Sequence, residues 1–370
     1  MKLKATLFLC LFLFLSLATY AQQDTVRHVI ISEWRGEKPY SYAELTNVGD
    51  TAVNLKNFEF GFIDPWTTPY EPAPEMSLML PDTMLGPGES FVIGNVKEGQ
   101  DIKGANDDVL ETPEDYREDI DLPVYITEYT EGDNDGTDSI SDYYYVLEHW
   151  HGTRTNFLEY HVGGDSAVVD AVNNSIDPED GLTTGEASDV AGVADATNNS
   201  VLVRRYGVEQ GNTDWDEDRG DSLEDSEWFP IPRRTRYYGD PGRRYFTTMG
   251  NHVNASLNED FVQSSTVDIN WQDTTMTVPW AVYADSLMDE FTLGDGIAWH
   301  YHISDDPADS TYLTVSEGDS LTMYAAGDDL EQMKFSLQRS AAPEDMALVF
   351  PKARYNDQDV WQVPYYYVTE

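Results

Sequence analysis

The sequence has one cysteine, Cys10, and it lies inside an apolar N-terminal run. If that run is removed on export no thiol remains, which excludes disulfides, thiolate nucleophiles and cysteine metal sites together. Basic residues are scarce as well: 22 Lys and Arg stand against 68 Asp and Glu, a formal net charge of −46. A field of that sign repels nucleic acid and anionic lipid and favours divalent cations or basic partners, so no nucleic-acid partner is expected. Beyond Leu17 no run is apolar enough to cross a bilayer, and no transmembrane segment is expected. Recognisable catalytic signatures are missing too. There is no Gly-x-Ser-x-Gly elbow, no His-Glu-x-x-His helix and no phosphate-cradling glycine loop. Carboxylates are so abundant that Asp beside Glu discriminates nothing.

The N-terminus carries a different signal. Lys2 and Lys4 precede an apolar stretch from Leu7 to Leu17, which closes on Ala18-Thr-Tyr-Ala21. Small residues at both recognition positions make residues 1–21 a secretory signal peptide with cleavage expected after Ala21. Cys10, with further apolar residues after it, is a poor lipoprotein attachment point. A secreted or cell-surface location is expected, and the acidic composition then reads as solubility in a salty exterior.

From Ile30 to Gly94 the chain alternates apolar and polar residues in short pieces. They are Ile31-Ser-Glu33, Tyr42-Ala-Glu-Leu-Thr-Asn-Val-Gly-Asp50, Ala52-Val-Asn-Leu-Lys-Asn-Phe-Glu-Phe60 and Leu85-Gly-Pro-Gly-Glu-Ser-Phe-Val-Ile-Gly94. Each is closed by Asn, Gly, Asp or Pro, the pattern of short antiparallel strands joined by tight turns. Similar strands return at Phe157-Leu-Glu-Tyr-His161, Gly164-Asp-Ser-Ala-Val-Val-Asp170, Ser200-Val-Leu-Val-Arg-Arg205 and Ser226-Glu-Trp-Phe-Pro230. In this order the pieces resemble the lamin-tail domain, an immunoglobulin-like β-sandwich of nuclear lamins and of many secreted bacterial proteins. The resemblance spans roughly half the chain, and its motifs are specific in their order and spacing rather than singly. It implies that Glu33 and Glu44 belong to the framework rather than to an acid/base pair. It also implies a binding or positioning role, since such domains often accompany secreted hydrolases without supplying the active site.

The expected fold is all-β, with two β-sandwich modules, the first immunoglobulin-like of lamin-tail type. After the signal at 1–21, the first module is expected at 22–232, longer than a minimal sandwich of roughly 100 residues. The excess sits in an acidic insertion at about 97–142, read as a surface loop because extra loop length costs little free energy. An Arg-rich linker at 233–250, with five arginines between Arg233 and Arg244, would lead to a second β-sandwich module at 251–370. Those arginines would bind an anionic partner, or a glycan stacked on Tyr237 and Tyr238, or pair with the chain's own acids. The strand-like end, Val363 to Glu370, suggests a further domain after it.

Candidate metal ligands come from two acidic clusters. Asp133, Asp135, Asp138 and Asp142 place carboxylates around a glycine, as calcium requires, although the bidentate glutamate of a helix-loop-helix site is missing. Asp214, Asp216 and Asp218 form a second calcium candidate, with an arginine where the sharp turn would need glycine. Calcium is therefore the candidate cofactor, against the alternative of solvated acidic loops. His149 with His151, and His300 with His302, each put two imidazoles on one face of a strand but lack an evident third ligand. Asp followed by Ser or Thr recurs, for instance at Asp50, Asp82 and Asp165, and resembles an O-glycosylation tripeptide of exported bacterial proteins.

The expected function is a non-catalytic binding, adhesion or structural module at the bacterial cell surface, facing an unknown protein or glycan. The alternative is a metal-dependent hydrolase of glycan or phosphoester, or an accessory domain of a larger secreted hydrolase. Convergence of His149 and His151 with the Asp133–Asp142 loop would favour the enzyme.

Overall fold

The computed structural model describes residues 26–36, 41–62, 77–96, 102–103, 109–110, 120–125, 152–162, 164–173, 187–232, 249–280, 282, 284–302, 315, 318–341, 347–349, 352–354, 360–362 and 365–367. The fold is all-β. Contacts divide the chain into two compact units. The first takes residues 1–262 together with Leu293–His300 and Thr322–Met333; the second takes Gln263–Thr292, Tyr301–Leu321 and Lys334–Glu370. The region expected as one module at 251–370 is thus shared between both.

Two large sheets carry most of the described strands of the first unit. Strands β1 (Val29–Arg35), β2 (Tyr42–Asn47), β5 (Ser90–Val96), β6 (Leu122–Tyr125), β9 (Ser200–Arg204) and β10 (Trp228–Pro232) form a six-stranded sheet in the order β6-β5-β2-β1-β9-β10. Strands β3 (Phe58–Phe62), β4 (Ser77–Met79), β7 (Asn156–Val162) and β8 (Asp165–Val172) form a four-stranded sheet in the order β8-β7-β3-β4. One core joins them, with Val29, Ile31 and Trp34 of β1, Phe58, Phe60 and Phe62 of β3, and Leu158 and Tyr160 of β7 in a single cluster. The three phenylalanines recur every second residue, as one face of a strand requires, and each is at most 1% exposed. Fully burying such a side chain is worth roughly 2 kcal/mol relative to leaving it in water.

β1 breaks strict alternation. Its pairing with β2 shifts between Ile31 and Glu33, and this bulge lets both Ile31 and Trp34 face the core although they stand an odd number of positions apart. At the end of β2, Asn47 fixes the turn: its carbonyl accepts from Gly49 N at 3.1 Å while its amide donates to Thr51 O and Leu85 O.

The other face of the six-stranded sheet is covered as well. Tyr42, Val92, Val201, Val203, Phe229 and Ile231 join Met249, Ala298, Tyr324 and Ala326 in a second cluster. With both faces covered, every residue of β1 and β2 is buried.

The acidic insertion differs from the expected loop. Its 122–125 segment is β6, parallel to β5, and Asp121 secures it by donating its N–H to Val92 O while its carboxylate accepts from Val92 N at 2.8 Å. Ile120 is buried just before it. Two apolar positions and one well-placed carboxylate suffice for an edge strand, and the surrounding acids conceal them in the sequence.

A five-stranded sheet comprises β11 (Asp268–Asn270), β12 (Thr275–Val278), β13 (Ile297–His302), β14 (Ser320–Ala326) and β15 (Leu330–Arg339), in the order β11-β12-β15-β14-β13. Within the second unit, β12 runs parallel to the 336–339 part of β15 and Trp271 packs edge-on against Phe335. Tyr301 donates its hydroxyl to Asp319 at 2.5 Å, and Asp319 O accepts from Leu337 N.

Candidate functional site

β3 and β7 are neighbours in the four-stranded sheet, and their inward phenylalanine, leucine and tyrosine residues force the intervening polar residues onto the opposite face. Glu59 and Glu159 stand directly opposite one another in that pairing. Across the sheet the row continues to Val168 beside Glu159 and to Met79 beside Glu59. His161 follows Glu159 by two residues and shares its face. The imidazole Nε2 lies 2.7 Å from Glu59 Oε2 and 3.7 Å from Glu159 Oε2. The Ser77 hydroxyl donates to Glu59 Oε1.

These side chains are half-buried, at 20% exposure for Glu59, 15% for Glu159 and 35% for His161. One ligand atom from each lies within 4.8 Å of the others. Two carboxylates directly opposite in an antiparallel pair repel, so the imidazole between them offsets a local cost. The arrangement offers one nitrogen and two oxygen donors on paired strands, with each side chain partly exposed.

A second opposed pair lies in the six-stranded sheet. Glu33 of β1 faces Glu44 of β2, and the row through them runs Val92, Glu44, Glu33, Val203, Phe229. Both glutamates are 1% exposed. Glu33 accepts from the Tyr42 hydroxyl. Glu44 Oε1 accepts from Ser32 Oγ at 2.6 Å and from Thr46, and its Oε2 accepts from Gly250 N at 2.6 Å. Burial, reinforced by the negative charge of Glu33, pushes the Glu44 carboxyl up to about 8. This pair therefore holds a proton where the exposed pair holds an imidazole.

The third cluster centres on Arg204, which is fully buried. Its Nη1 donates to Asp170 Oδ2 at 2.6 Å, and its Nη2 to Asp218 at 3.0 Å and Glu227 at 2.6 Å. The guanidinium carbon also sits 4.9 Å above the Trp228 ring. Asp170 accepts in addition from the backbone N–H of Ile31, Ala171 and Asn212. Burial opposes the guanidinium charge, but Asp170, Asp218 and Glu227 outweigh it and hold Arg204 above its ordinary value. One guanidinium does not neutralise three carboxylates. Burial accordingly pushes Asp218 up to about 7 against the pull of Arg204, with repulsion from Glu227 and Asp170 adding to the rise.

This geometry separates the second calcium candidate into different tasks. Residues 215–219 form a short helix, α2 (Trp215–Arg219), after α1 (Ala196–Asn199). Asp214 caps α2 by accepting from Glu217 N, Asp216 is 77% exposed and pairs with Arg219, and Asp218 turns inward to Arg204 and Asn212. The three carboxylates are directed at different partners rather than at one point. Asp133, Asp135, Asp138 and Asp142 lie outside the described residues, as do His149, His151 and Arg233–Arg244. His300 and His302 fall on β13.

The Glu59, Glu159 and His161 group was not singled out from the sequence. The Glu-x-His spacing at 159–161 is a signal for one strand face, but the ligand that completes the group is 100 residues away and arrives through strand pairing. Comparison of the chain with protein-family models, with curated proteins and with solved structures returns no match.

Proposed function

We propose that the chain is an exported, non-catalytic binding, adhesion or structural module of the bacterial cell surface, its first unit an immunoglobulin-like sandwich of lamin-tail type. The observation that supports this reading is the meeting of the resemblance motifs at Arg204. The strand from Gly164 contributes Asp170, the Ser-Val-Leu-Val-Arg strand contributes Arg204 itself, and the closing segment contributes Glu227 and Trp228. Ser226, from the same segment, accepts through its carbonyl from Arg205. Segments that match loosely one by one are thus tied together through a single buried cation. The same motifs hold backbone and side chains in place, the role of a scaffold that carries its recognition surface on loops. A calcium-stabilised loop at Asp133 to Asp142 is part of the same proposal.

The test is to present the purified full chain to intact bacterial cells and to immobilised surface glycans, in parallel with a panel of chromogenic glycoside and phosphoester substrates. Saturable retention without turnover is the expected result. Metal-dependent turnover that disappears with an Asp133→Ala, Asp135→Ala double variant would replace the module by the hydrolase reading.

A further inference from the structure

We propose that Glu59, Glu159 and His161 form a binding site for a divalent cation of the zinc class on the open face of the four-stranded sheet. The site is independent of the binding role above and of the acidic calcium candidates.

Convergence is the first observation. Zinc binds imidazole nitrogen at about 2.0–2.1 Å and carboxylate oxygen at about 2.0–2.2 Å, so ligand atoms around one ion stand roughly 3–4 Å apart. The 3.7 Å between His161 Nε2 and Glu159 Oε2 falls in that range, and the 2.7 Å to Glu59 Oε2 needs to open only slightly.

The second observation concerns His161 Nε2 itself. This atom is screened from water, with under 1 Å² accessible, yet it has no hydrogen-bond partner. Glu59 Oε2 is near enough to accept, but a ring N–H does not point along the line between them. The nitrogen and one oxygen from each glutamate lie within 4.8 Å of one another. A nitrogen so placed gains little as a hydrogen-bond donor and is well placed as a ligand.

Charge and support agree with this. Two ionised carboxylates and one protonated imidazole would leave an unbalanced negative charge, whereas a divalent cation with a neutral imidazole closes to zero. Ser77 holds Glu59 Oε1, which leaves Oε2 turned to the imidazole, the orienting role that outer partners play at metal sites. The ligands stand on paired strands rather than on loops. Imidazole among the donors disfavours calcium and magnesium, which take oxygen, and favours zinc or a neighbouring transition ion. Half-exposure leaves room for water in the remaining positions.

The experiment is calorimetric titration of chelator-stripped full chain with zinc, in excess magnesium to occupy the diffuse acidic surface, with cobalt as a visible-absorption probe. The expected result is one tight equivalent, cobalt bands characteristic of mixed nitrogen and oxygen ligation, and a loss of affinity of about tenfold or more in His161→Ala and in the Glu59→Gln, Glu159→Gln double variant. Metal-free melting of these variants, compared with wild type, separates lost ligation from lost folding. Uptake unchanged by either variant, or a cobalt spectrum indifferent to His161→Ala, would overturn the proposal.

Discussion

Each sheet of the first unit sets one glutamate directly against another: Glu33 against Glu44 in the six-stranded sheet, Glu59 against Glu159 in the four-stranded one. The two pairs have the same cross-strand relation and opposite surroundings. The first lies in an apolar row under a covering cluster, where water cannot screen it, and a raised Glu44 carboxyl with several donors relieves the repulsion. The second faces solvent and relieves it with an imidazole. Burial, not the pairing, decides whether a proton or a cation balances the charge.

Arg204 offers the largest effect, because it is a fully buried cation held between buried carboxylates. Arg204→Met removes it while keeping bulk and leaves Asp170 and Asp218 without their counter-charge. Losing one partner of a buried ion pair costs about 3–5 kcal/mol. Chemical denaturation should therefore show a large loss of stability. A loss as small as that of a surface substitution would mean that the remaining donors suffice, the backbone N–H groups at Asp170 and the Asn212 amide at Asp218.

The Glu44 proton gives a smaller effect with a definite sign. The unfolded chain titrates near the ordinary 4.5 and the folded protein near 8. Between these values the folded state holds the extra proton, so stability falls as pH climbs through that window; the contribution is full below it and gone above it. Asp218, raised to about 7, adds a slope of the same sign over a lower range. Glu44→Gln should reduce the fall of the melting-temperature profile between pH 5 and about 7, where Asp218 still contributes, and abolish it between about 7 and 8. An unchanged profile would place the proton elsewhere.

The smallest effect belongs to the half-buried pair of the four-stranded sheet. Without metal, Glu159→Gln should change stability by no more than about 0.5 kcal/mol, as surface substitutions do. It removes one of two opposed charges, so a slight gain at low salt is expected, diminishing as salt screens the pair. A large loss would show that Glu159 is structural and would weaken its assignment as a ligand.

The strands were legible because their signal is local. Phe58, Phe60 and Phe62 alternate, and Asn47-Val-Gly-Asp50 writes its own turn. The structure sets Glu33 against Glu44 on paired strands and supplies the donors that make their burial tolerable. β6 was hidden because its few apolar residues lie among acids and its parallel partner, β5, is remote in sequence. The same reason hid the exposed ligand group. His149-Trp-His151 and the Asp-rich clusters attract the eye by local density, whereas Glu59 meets Glu159 and His161 only when β3 pairs with β7 across about 100 residues of sequence. Asp214, Asp216 and Asp218 show the converse: short spacing in sequence, scattered by a helix whose successive side chains point in different directions.

The most direct test is carbon-detected magnetic resonance of the glutamate side-chain carboxyls across pH, with and without zinc. Glu44 is expected to stay protonated at pH 6 and to titrate near 8 whether or not zinc is present, while the Glu59 and Glu159 signals shift on adding zinc at fixed pH. A Glu44 ionised in the ordinary carboxylate range, together with Glu59 and Glu159 signals unmoved by zinc, would contradict that expectation.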